Sequence, residues 1–104
     1  MSMKPSQRRE KIDFLRKVCL ARINGPSSED GMMMTHSYRI LSQNVPANPK
    51  EVYMAEYKYL VDHADHYLLI TCMLAETGGS IETFHSNLKA YGRACQSIDT
   101  LVSR

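Results

Sequence analysis

The chain has 104 residues and a mass of 11.9 kDa, which is room for one hydrophobic core and not for two. Its 43% hydrophobic and 23% charged residues, with only five Gly and four Pro, exclude a disordered, collagen-like or linker-dominated chain. The formal net charge of +2 hides an asymmetry, because residues 1–25 hold seven basic and two acidic groups against six and nine in the remainder.

In chain order, the first predicted helix runs over about 6–23. Ile12, Leu15, Cys19 and Ile23 recur at spacings of 3 and 4, while Arg9, Asp13, Arg16 and Lys17 fall on the opposite side. Asn24, Gly25 and Pro26 supply a stop. Ser27 with Asp30 forms a capping box for a second helix over about 28–43, whose apolar stripe is Met34, Tyr38, Leu41 and Val45. Asn48-Pro49-Lys50-Glu51 reads as the cap of a third helix over about 49–77. Two overlapping seams run along it: Tyr53, Tyr57, Leu60, Ala64, Tyr67, Thr71 and Leu74, and Met54, Tyr57, Val61, Ala64, Leu68, Thr71 and Ala75. Gly78-Gly79 ends it and Ser80 caps a fourth helix over about 81–102, with Ile81, Phe84, Leu88, Tyr91, Cys95, Ile98 and Val102 alternating 3 and 4.

The short link between the last two segments requires a tight antiparallel hairpin. The expected fold is therefore all-α and single-domain: an elongated four-helix arrangement built on a long antiparallel hairpin, with two shorter N-terminal helices laid over it. A third helix of that length would measure roughly 43 Å, against a diameter of roughly 34 Å for a compact domain of this size.

The third helix changes character along its length. Lys58, Asp62 and Asp65 mark a polar back in its first half. From Tyr67 to Ala75 that back disappears, because Leu69, Ile70, Cys72 and Met73 extend apolar coverage nearly all round. A helix greasy on every side has to be covered on every side. Either the other helices of the same chain wrap it, or Tyr59, His66, Leu69, Ile70 and Met73 form a patch that pairs with a second copy or another protein.

Other chemistry has thinner signals. Asp62, His63 and His66 allow a two-point metal contact but leave His36 and His85 as the only further imidazoles, so no metal or cofactor is expected. No nucleophile elbow is present. Cys19, Cys72 and Cys95, an odd number with no C-x-x-C pair, read as reduced core thiols of a cytoplasmic protein. The apolar run Tyr67 to Ala75 is far shorter than the roughly 20 residues of a membrane span, and no apolar stretch of signal-peptide length follows the basic N-terminal residues. Leu74, Ala75, Gly79 and Leu88 fit the turn of a helix-turn-helix only loosely, with His85 where an apolar residue belongs. The sequence thus predicts no catalytic residues. It predicts a small regulator, adaptor or inhibitor that works by occupying a protein surface and self-associates through the third helix. The alternative is a nucleic-acid-binding regulator that uses Arg9, Arg16 and Lys17 for backbone contacts.

Overall fold

The computed structural model describes residues 3–23, 29–43 and 45–104. Among them are four helices and no strands: α1 (Pro5–Arg22), α2 (Glu29–Leu41), α3 (Met54–Thr77) and α4 (Ile81–Val102). The stop at Asn24-Gly25-Pro26 and the capping box begun by Ser27 lie outside the described residues. Pro5 opens α1 at a position that needs no amide partner, and the Lys4 amide donates to Gln7 Oε1 at 3.0 Å. At the hairpin, Gly78 takes the left-handed conformation (φ 73°) and Ser80 Oγ accepts from the Thr83 amide at 3.2 Å.

The start of α3 differs from expectation. Asn48 does not cap a helix; residues 45–50 are irregular, a 3-10 turn follows at Glu51–Tyr53, and α3 proper begins at Met54. Pro46 and Pro49 hold Val45 and Asn48 extended, which is compatible with a cap at Asn48. The prolines therefore do not account for the late start; Lys50 is the extended residue that precedes the first turn instead. The Tyr57 hydroxyl then fastens this segment by donating to the Pro46 carbonyl at 3.1 Å.

The helices adjoin in the cyclic order α1, α2, α4, α3, with the α3–α4 hairpin forming the most extensive contact. The molecule measures 46 × 24 × 20 Å, an elongated bundle with the hairpin as its scaffold. Leu15, Cys19, Met34, Leu41, Leu68, Leu88 and Ile98 are wholly buried at its centre. On α3 the second of the two seams faces the core: Val61, Ala64, Leu68 and Thr71 are buried, whereas Tyr57, Leu60, Tyr67 and Leu74 are half-buried beside it. On α4 the alternating seam is buried from Phe84 to Ile98.

One charged residue sits where the sequence pattern placed solvent. Asp65 belongs to the core face and is held by Arg8 of α1 through Nε–Oδ1 at 2.7 Å and Nη2–Oδ2 at 2.8 Å, with side chains only 5% and 12% exposed. The polar back of α3 is thus Lys58 and Asp62, both exposed, without Asp65. Spacing gives the reason. Asp65 continues Val61, Leu68 and Cys72 at intervals of 4, 3 and 4, and Arg8 continues Ile12, Leu15 and Cys19 in the same way. Each charge occupies a core position on its own helix, and the two neutralise each other where α1 meets α3.

Candidate protein interface

Among the described residues, α3 packs chiefly against α4 and α1. α4 covers the flank that carries Ala64, Tyr67 and Thr71, and α1 covers the flank that carries Asp65 and Cys72, whose Sγ lies 3.9 Å from the Lys11 carbonyl. At about 100° of rotation per residue, Leu69, Met73, His66, Tyr59 and Ile70 fall within a sector of roughly 100° on the side opposite the core. Leu69 is 47% exposed, Met73 56% and Tyr59 67%, while His66 is exposed and Ile70 half-buried. Among the described residues, no other helix reaches across this sector to cover Leu69 or Met73.

The stripe is locally ordered by its own aromatics. The Tyr59 ring stacks on His63 with centroids 6.0 Å apart and planes 10° from parallel, and His63 meets the edge of Tyr67 at 5.0 Å. His66 lies edge-on to Tyr67 at 5.9 Å. Such stacking holds Tyr59 and His66 upright without hiding them, so less side-chain entropy is lost when something docks. Leu20, Met32 and Val52 are also exposed apolar residues, but each stands alone on a different segment, which is ordinary for a protein surface.

The basic first helix divides into two groups. Arg9 and Lys17 are exposed. Arg16 does not lie on a solvated face as its spacing implied: it is half-buried and donates from Nη2 to the Leu41 carbonyl at 2.7 Å, joining α1 to the end of α2. Arg8, Arg9 and Arg16 line a shallow groove of about 270 Å³ together with Ile12, Asp13 and Val45, but Arg8 is already matched by Asp65.

Ser37 Oγ and His85 Nδ1 lie 2.7 Å apart where α2 packs on α4. That distance suits a nucleophile and its base. Yet Ser37 is fully buried and His85 is only 9% exposed. The pair therefore acts as a buried cross-link between helices. Burial holds His85 below the usual imidazole range, with Lys89 and His36 adding to the effect. Burial also pushes the Cys19 and Cys72 thiols up to about 11, and Cys95 is raised for the same reason, so none has thiolate character at neutral pH. Among the described residues no group of three or more His, Cys, Asp or Glu side chains is placed to hold a metal ion, and no helix is long and apolar enough to cross a membrane.

Arg8, Asp65 and Ser37 escaped the reading of the sequence, although each continues a 3-and-4 spaced seam of buried residues. No family model, no curated protein and no solved structure matches the chain.

Proposed function

We propose that this chain is a non-enzymatic protein–protein interaction module, a small regulator, adaptor or inhibitor that acts by occupying a surface and self-associates through the outer face of α3. The observation that carries this reading is the shared exposure of Tyr59, Leu69 and Met73 on one face of one helix. Fully burying a side chain of the size of Leu or Met is worth about 1.5–3 kcal/mol, so leaving two of them half in water forgoes a sizeable gain for a small domain. Tyr and Met are also the residue types that interfaces favour. The three buried, unpaired thiols suit a reducing compartment, which makes the cytoplasm the proposed setting.

Leu69→Asp tests the reading. Charge on that face blocks association, seen as a fall in mass by light scattering at high protein concentration, while far-ultraviolet circular dichroism stays unchanged. A variant that loses its helicity places Leu69 in a monomer core instead and contradicts the proposal.

Nucleic acid as partner has less support. With Arg8 and Arg16 engaged by Asp65 and Leu41, α1 keeps Arg9, Lys17 and Arg22 as exposed cations, and three phosphate contacts give a salt dependence of only about three counterions. Absence of duplex retention at low salt removes that alternative.

A further inference from the structure

Arg8, Arg9 and Arg16 fall on one face of α1 and line the same groove, a cleft of about 270 Å³ bounded on its other side by Val45. None of the three has all its donors engaged. Arg8 gives Nε and Nη2 to Asp65 and the Met3 carbonyl. Arg16 gives Nη2 to the Leu41 carbonyl and reaches Asp13 only at 3.4 Å, and its buried Nε has no hydrogen-bond partner. Arg9 is exposed and pairs with no acid among the described residues. Two acids bear on the groove: Asp65 behind Arg8, and Asp13 on the wall, with its side chain 54% exposed. Against three guanidinium groups they leave one positive charge in excess. Glu10 falls about 130° round the helix from the middle of this face, at about 100° per residue. The Pro5 end adds to the potential, because the first turn of α1 holds no acidic residue to offset the positive end of the helix dipole.

We propose that this groove is a second interaction surface, one that takes a short, extended, acidic segment of a partner protein. A guanidinium is a planar fork that grips a carboxylate at two points, so Arg9 and the unengaged nitrogens of Arg16 are the groups that hold such a segment. From Pro5 to Arg16 the groove follows α1 for roughly 16 Å, the length of about five residues of extended chain. Ile12 and Val45 supply an apolar part of the lining, and a segment that alternates acidic and apolar residues meets both chemistries. Asp13 favours a peptide over a nucleic-acid strand. A strand of nucleic acid carries a charge at every step of roughly 3.4 Å, so one phosphate falls beside the Asp13 carboxylate. A peptide sets an uncharged residue there. The groove shares no residue with the outer face of α3, so this surface stands or falls apart from self-association.

Amide shifts in heteronuclear NMR test the assignment, because they register weak binding and locate it. The full chain is titrated at about 0.15 M salt with a capped five-residue peptide alternating Glu and Leu, and with the same peptide carrying Gln in place of Glu. The expected result is saturable shifts centred on Arg8, Arg9, Ile12, Asp13 and Val45 with the Glu peptide and none with the Gln peptide. Arg9→Glu weakens binding about tenfold and Asp13→Asn tightens it about threefold, while Lys17→Glu and Leu69→Asp stay within about twofold of the parent. Arg9 is exposed, so its replacement leaves the fold intact, which the dispersion of the remaining amide signals checks. An unshifted spectrum up to millimolar Glu peptide overturns the proposal, as do shifts centred on Lys89 and Arg93 instead. Equal loss in Lys17→Glu and Arg9→Glu reveals general charge attraction and overturns it too. An oligothymidylate of the same charge that binds the groove more tightly than the peptide makes a phosphate strand the occupant and likewise overturns it.

Discussion

Arg8 and Asp65 form the most consequential side-chain pair in the molecule. Both ions are nearly desolvated, and the two-point geometry is what makes their burial tolerable. The proton affinity of Arg8 is raised, chiefly by the hydrogen bond to Asp65. Removing one partner is expected to cost far more than removing both. Asp65→Asn strands a buried cation and lowers stability by about 3–5 kcal/mol in urea unfolding, whereas Arg8→Met with Asp65→Leu stays within about 1–2 kcal/mol of the parent. His85 makes a second prediction. Its folded-state pKa lies below the value in the unfolded chain, so unfolded molecules take up the proton first as the pH falls. The pair Ser37–His85 therefore costs no stability above about pH 6.5 and loses it progressively on acidification below that value. Urea midpoints between about pH 7.5 and 5 measure the slope, and Ser37→Ala with His85→Leu flattens it.

At the scale of elements, what was legible in the sequence follows from how each signal is encoded. α4 was readable because one unbroken 3-and-4 seam follows a glycine pair and a serine cap. The start of α3 was misread because the Asn48-Pro49 cap is a purely local signal, and the first turn forms after Lys50 instead. Buried charges were invisible to a pattern that sorts residues only as apolar or polar, even though Arg8 and Asp65 occupy seam positions. Gly92 is a related case. It lies off the α4 seam, where α2 comes close: a Cβ there would stand 3.1 Å from Cγ2 of Ile40. Gly92→Leu is accordingly expected to destabilise by about 1–3 kcal/mol through overpacking, despite leucine's better helix propensity. Adding Ile40→Ala should return part of that loss, as non-additivity in a double-mutant cycle.

At the scale of the whole molecule, four helices in a cyclic arrangement give each one two neighbours and one side facing water. The exposed positions of α4 are all polar, and α1 and α2 each expose one large apolar residue, Leu20 and Met32. α3 exposes two in its C-terminal half, and this mismatch was legible in the sequence because Leu69 and Met73 break the polar back that Lys58 and Asp62 begin. What the sequence left open was whether α1 or α2 wraps that side, since the packing order of helices is not written in any single helix. In the structure α1 stops at the Asp65 and Cys72 flank and α2 sits across the bundle against α4, so the outer face of α3 faces away from both. The exposed face thus follows from topology, and a second copy is the cover proposed here. Sedimentation equilibrium of the unsubstituted protein, from about one micromolar to several hundred micromolar, tests this most directly. The expected result is a reversible rise from monomer to dimer mass that stops at two and is absent in Leu69→Asp. A single monomer mass across the whole range would contradict it.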